Sequence, residues 1–254
     1  MSPSLTAALA EAWATQGLYL LVFAVILAGL VRGFAGFGTA MIYMPIAGTV
    51  LPPVWALAAM MVFDALGPLP NVPRAWRDGR PRELAMMVAG GLLALPFGVW
   101  VVSVVSPEMF RWSVAIITIG LLVLLVSGWR YHGALSRPLL AAAGALGGFL
   151  GGSTGLAGPP VIMLYMSSRQ AIQVVRANIL MFLLFTDLVA LALMWAFGLL
   201  TAVPVLLGLI LFVPYMLGNI AGAALFRPER ERLYRWLAYL IIAASALSNL
   251  PLFD

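Results

Sequence analysis

The chain of 254 residues contains no cysteine and one histidine, His132; all 14 of its basic residues are arginine, and only 9% of its residues are charged. Without cysteine there is no disulfide framework, thiol nucleophile or thiolate metal site, and one histidine cannot build a metal cluster. We therefore predict neither a metal nor a cofactor. A soluble domain carries about 25% charged residues, so this chain has too few to cover a surface that faces water.

Apolar residues are what the chain has in abundance: 63% of it is hydrophobic, and the mean hydropathy is +1.06. These values predict an all-α polytopic membrane protein, since the apolar runs are unbroken and lack the alternation of a membrane β-barrel. Eight hydrophobic segments lie near 17–50, 54–73, 84–105, 110–129, 138–168, 172–198, 202–226 and 233–251. Most match the roughly 20 residues that cross a bilayer, but the first and fifth are too long for one crossing.

Those two long segments share a motif. Residues 33–45 read GFAGFGTAMIYMP, and residues 148–160, which begin 115 positions later, read GFLGGSTGLAGPP. Gly33, Phe34, Gly36, Thr39 and Pro45 fall without a gap on Gly148, Phe149, Gly151, Thr154 and Pro160. Corresponding Gly/Pro interruptions of two hydrophobic segments are a pointer to the binding site of a transporter.

Charge placement predicts the topology. Arginines occur in the loops after the second, fourth and seventh segments, at 74–82, 130–137 and 227–235, and the positive-inside rule places all three loops in the cytoplasm. Segments five, six and seven lie between the loops at 130–137 and 227–235, and three simple crossings cannot join two loops on the same side. The fifth segment must therefore enter the membrane and return as a hairpin, and symmetry of the repeats predicts the same for the first segment. The sequence thus predicts two inverted repeats, 1–131 and 132–254. Each is a broken-helix hairpin plus three transmembrane helices, and both termini are outside.

The two motifs form the predicted binding site. A helix that restarts inside the membrane directs its amino-terminal N–H groups and its positive dipole end at one point, where an anion is stabilised. Arg32 lies beside the first motif and could contact the anion; it could equally extend to the membrane interface. The alternative for the glycines is close helix packing. The predicted substrate-binding residues are Arg32, Gly36, Phe37, Gly38, Thr39, Ser153, Thr154, Gly155, Gly158 and Pro159.

Two carboxylates lie inside apolar runs, Asp64 in the second segment and Asp187 in the sixth. Ionisable groups within membrane segments mark proton relays in transporters, and they also occur as paired structural charges. We therefore name both residues as candidates for proton coupling. The alternatives are an ion pair with an arginine or a cap on a broken helix.

No enzyme signature is present. Residues 151–155 match the letters of Gly-x-Ser-x-Gly, but that motif needs a strand, a turn and a histidine partner, and His132 lies in a predicted loop. We predict a protein that is not an enzyme. The basic pI near 10.1 reflects arginines in short loops and does not indicate nucleic-acid binding.

The two motifs, above all Gly155-Leu-Ala-Gly-Pro-Pro160, resemble those of the sulfite exporter TauE/SafE family. The resemblance implies a cofactor-free secondary transporter of the cell (inner) membrane that exports small sulfur-containing anions, either sulfite or short organosulfonates such as sulfoacetate. Its partners would be that anion and membrane lipid, with a homo-oligomer neither required nor excluded. An anion channel, or a transporter of other small organic anions, are the alternatives on the same scaffold.

Overall fold

The computed structural model describes residues 5–128, 135–165 and 170–250, and these are helical, without a strand. Two single-turn 3-10 helices, Leu69–Asn71 and Pro228–Arg230, accompany the α-helices. The α-helices are α1 Leu5–Trp13, α2 Leu18–Ala35, α3 Thr39–Ala47, α4 Pro53–Leu66, α5 Val72–Asp78, α6 Pro81–Val104, α7 Pro107–Val126, α8 Arg137–Thr154, α9 Gly158–Tyr165, α10 Ile172–Ala196, α11 Ala202–Leu225 and α12 Glu231–Ser248.

Helices long and apolar enough to span a membrane confirm the predicted class. In the described ranges there are six, formed by α2, by α4 with α5, and by α6, α7, α10 and α11. The helices α8 and α12 are not among them: α8 contains five glycines, and α12 carries arginines in its first turns. His132, Arg130 and the predicted boundary between residues 131 and 132 lie outside the described residues. The inverted orientation of the repeats stays a prediction.

Each of the two long segments is a pair of helices, as the motifs predicted. The first is α2 followed by α3, the second is α8 followed by α9, and the members of each pair pack against one another. The ungapped alignment of the motifs, however, does not describe equivalent positions. It pairs Thr39 with Thr154, yet Thr39 begins α3 whereas Thr154 ends α8. The glycines that end α2 and α8 are Gly36 and Gly155, so the second break lies one helical turn later than the alignment placed it.

The short helix α3 occupies the centre of the molecule. Eight of its nine residues are buried, which fits a helix that is apolar on every side. It packs against α2, α4, α7 and α12. The broken segment therefore places the start of α3 in the interior.

Glycines hold the remaining framework together by letting backbones touch. A Cβ added to Gly33 of α2 would lie 2.6 Å from Ala223 N of α11, and a Cβ on Gly29 would lie 2.9 Å from Asn219 N. On the other pair, a Cβ on Gly148 of α8 would lie 2.6 Å from Gly91 O of α6. Close helix packing is therefore what the motif glycines Gly33 and Gly148 provide, as small residues allow in membrane helices.

We expect Gly148→Ala to lower the melting temperature of the purified protein, because its methyl group would collide with the α6 backbone. Overpacking of this kind costs roughly 1–3 kcal/mol. The matched control is Gly120→Ala in α7, where a Cβ meets nothing within 4 Å and the higher helix propensity of alanine stabilises by about 0.5–1 kcal/mol. The two variants should shift the melting temperature in opposite directions; equal shifts would contradict the close contact.

Candidate functional site

The first break ends α2 and begins α3 within three residues. The N–H of Gly36 donates to Arg32 O at 2.8 Å, and Gly36 and Gly38 have φ of +80° and +104°, a conformation that strongly favours glycine. Gly38 at the helix start provides no side-chain cap. The first N–H groups of an α-helix have no hydrogen-bond partner within the helix. In α3 the N-cap residue Gly38 does not supply a side-chain partner either.

Four side chains from four helices meet beside this break; we call them the Arg32 cluster. Arg32 Nη1 of α2 lies 3.2 Å from Asp64 Oδ1 of α4 and donates to Thr39 Oγ1 of α3 at 3.2 Å. The hydroxyl of Tyr215 in α11 donates to Asp64 Oδ1 at 3.0 Å and lies 3.2 Å from Thr39 Oγ1. Thr39, Asp64 and Tyr215 are buried. Arg32 is thus paired with a carboxylate inside the protein, which is one alternative that the sequence left open for Asp64.

Asp187 brings a second carboxylate to the same region. It lies on α10, is 6% exposed, and is close enough to Asp64 and Arg32 to interact electrostatically with both. With all three groups ionised this set carries one net negative charge. An uncompensated charge in a low-dielectric interior is costly.

The second break has a different chemistry. Thr154 Oγ1 donates to Leu150 O at 2.9 Å and Ser153 Oγ donates to Phe149 O at 2.8 Å. The sequence suggested both hydroxyls as donors to an anion, but here their hydrogens are directed at carbonyls one turn back in α8. The structure brings Arg32, Thr39 and Asp64 together and places these two hydroxyls in bonds within their own helix.

Gly155 closes α8 with φ of +79°, and its N–H donates to Gly151 O at 3.0 Å. The break then passes into α9 at Gly158, followed by Pro159 and Pro160. Proline suits the first turn of a helix but has no N–H, so α9 presents fewer backbone donors than α3 does. A Cβ on Gly155 would lie 2.6 Å from Met60 Cε, which places the second break against α4.

Two aromatic residues concern the predicted site: Phe37 in the first break and Tyr215 in the Arg32 cluster. Phe37, predicted to contact substrate, packs its ring 6.5 Å from that of Tyr239 in α12. Tyr215 was missed from the sequence, although a tyrosine inside an apolar segment signals a hydroxyl that needs a buried partner. Among the described residues no group of three or more His, Cys, Asp or Glu could hold a metal ion.

A model of the family described as "Sulfite exporter TauE/SafE" matches residues 21–249, a range that includes the Arg32 cluster and both breaks. The chain belongs to the sulfite exporter TauE/SafE family. No curated protein and no solved structure gives a significant match. TauE/SafE membership and the apolar helices together show a membrane protein of a family of sulfur-anion transporters.

Proposed function

We propose that this TauE/SafE protein is a secondary transporter that exports small sulfur-containing anions, sulfite or short organosulfonates such as sulfoacetate, by alternating access. The observation that carries the proposal is the Arg32 cluster beside the uncapped start of α3. A guanidinium, a hydroxyl and free N–H groups are the donors that a sulfonate or sulfite, with several acceptor oxygens, requires.

The anion headgroup binds at the first break, where the donors are concentrated. Arg32, Gly38 and Thr39 contact its oxygens, with Gly36 and Phe37 shaping the turn. The second break, with Ser153, Thr154, Gly155, Gly158 and Pro159, forms the facing wall. Its two prolines and internally bonded hydroxyls leave it poorer in donors, so it suits the organic part of a sulfonate.

Asp64 and Asp187 couple this binding to protons. Asp64 Oδ1 lies 3.2 Å from Arg32 Nη1, and the negative net charge of Arg32, Asp64 and Asp187 when all three are ionised repels an anion. Taking up a proton on one carboxylate removes that charge and frees the guanidinium for substrate. We place the protein in the cell (inner) membrane with both termini outside, because the arginine-bearing starts of α6 and α12 then face the cytoplasm.

A thermal-shift screen of the purified protein tests the substrate class, because a ligand that binds the native state raises its melting temperature. Sulfite or sulfoacetate near 100 Kd should raise it by roughly 5 °C, with sulfate, taurine and a neutral solute compared in parallel. The absence of a shift with every sulfur oxyanion would reject this substrate class. Saturable flux in proteoliposomes separates the transporter from a channel, which gives large non-saturating currents.

A further inference from the structure

A second polar cluster, which shares no residue with the Arg32 cluster, centres on Glu83 in the first turn of α6. Tyr165, the last residue of α9, donates its hydroxyl to Glu83 Oε2 at 3.0 Å. Gln170, which precedes α10, donates to both carboxylate oxygens at 2.8 and 2.9 Å. Asn178 of α10 donates to Glu83 Oε2 at 3.4 Å and to Tyr165 OH at 2.8 Å. One carboxylate thus fastens α9 and α10 to α6.

The neighbouring backbone strengthens this attachment. The N–H of Arg80, which immediately precedes α6, donates to Asn178 Oδ1 at 2.9 Å, and its guanidinium donates to Glu83 Oε1 at 3.1 Å. Asn178 is fully buried, and the Glu83 side chain is 16% exposed. Charge-assisted hydrogen bonds at this degree of burial are strong and directional. The cluster therefore holds the start of α6, the end of α9 and the first turns of α10 together.

The position of α9 links this cluster to the site. This half-helix begins at Gly158, next to the second break, and ends at Tyr165. Its start is joined to α8 through the turn at Gly155, whose φ of +79° makes it a natural hinge. Its end is held by Glu83. By contrast, α8 is fixed to α6 through backbone contacts such as that at Gly148. Releasing Glu83 would therefore remove the polar attachment of α9, which also packs through Val161 and Leu164 against Met87, while α8 stays in place.

We propose that Glu83, Tyr165, Gln170 and Asn178 form a latch that closes the cytoplasmic path to the anion site. The proposal rests on the alternating-access function proposed above, in which the start of α6 faces the cytoplasm. Opening breaks the hydrogen bonds of Tyr165 and Asn178 to the carboxylate, and α9 moves away from α6. Glu83 is thereby a gating residue that never touches the substrate.

The absence of native cysteine permits a direct test with a single reporter thiol. Ser153→Cys, a change of oxygen to sulfur at the second break, is labelled in inside-out membrane vesicles with a charged methanethiosulfonate that cannot cross lipid. Adding Glu83→Gln, or the milder Tyr165→Phe, should raise the labelling rate roughly tenfold, the factor that corresponds to one hydrogen bond to a charged group. The matched control Glu108→Gln, at the exposed start of α7, should leave the rate unchanged. Unchanged labelling with both latch variants would overturn the proposal. The labelling readout needs no substrate, so it can fail while the thermal-shift result stands, and the reverse also holds.

Discussion

Arg32→Gln is expected to reduce the stabilisation by sulfite or sulfoacetate and to impair transport. The guanidinium is the only cation of the Arg32 cluster, and it already lies 3.2 Å from Asp64 Oδ1 and Thr39 Oγ1. Removing a partly buried charge-assisted contact costs about 1.5–3 kcal/mol, or roughly 10- to 100-fold in affinity. Arg32→Lys should retain part of the binding, because it keeps the charge without the planar fork. For each variant, Kd is measured by titrating the ligand and following the melting temperature.

The single variant also leaves Asp64 buried without its cation, and this alone can destabilise the protein. The double variant Arg32→Gln with Asp64→Asn separates the two effects, since a neutral pair restores stability without restoring the anion contact. Its control is an exposed pair of the same residue types, Arg74 and Asp78 in α5, which are 3.3 Å apart. Arg74→Gln should change neither stability nor binding appreciably. Normal anion affinity in the double variant would show that Arg32 is structural.

Anion affinity should rise as the pH falls, and Asp64→Asn should remove much of that dependence. Asp64 pairs with Arg32, accepts a hydrogen bond from Tyr215 and lies near Asp187 on α10. These groups and Thr39 are the polar neighbours described around it. An anion that displaces Asp64 from Arg32 adds negative charge beside two carboxylates, and under the proposed proton coupling it binds together with one proton. One linked proton corresponds to about tenfold in affinity per pH unit.

A sulfonate is the suitable probe, because its charge is constant across neutral pH and only the protein titrates. Asp64→Asn should bind it with a much weaker pH dependence, at an affinity near that of the wild type at acidic pH. Asp187→Asn should lower the dependence as well, and Asp78→Asn on the surface should leave the profile intact. A wild-type profile in both Asp64→Asn and Asp187→Asn would remove the proton-coupling role while leaving the anion site in place.

The sequence was sufficient for the class of protein and for identifying which two segments are broken, because the length of an apolar run and a cluster of glycines can be read locally. It placed Arg32, Thr39 and Asp64 among the candidates, since a charge inside an apolar run needs a partner wherever it lies. It did not show that these residues meet. Their pairing is set by how α2, α3 and α4 pack, and no periodicity in the sequence reports that.

Two further features could not be predicted from the sequence, because each depends on how the folded chain packs. The displacement of the second break by one turn depends on which of several glycines adopts positive φ, and Gly151, Gly152 and Gly155 read alike in sequence. Of the three, Gly155 has the positive φ, and its N–H donates to the carbonyl of Gly151, as at a helix end that closes in the left-handed conformation. Glu83 sits beside a loop rich in arginine, where a carboxylate predicts an exposed pair with Arg80. Only the fold reveals that Tyr165 and Asn178 reach it from elsewhere in the chain.

The contacts of α2 with α11 and of α8 with α6 also determine which parts can travel as rigid units. Each long helix of a broken segment touches the backbone of a helix from the opposite half of the chain. Separating the first half of the chain from the second would expose these glycine faces, so the two halves share one packed frame. The short helix α9, which the proposed latch releases, can move against that frame without separating the halves. Expressed as two separate fragments, the halves would be obligate partners.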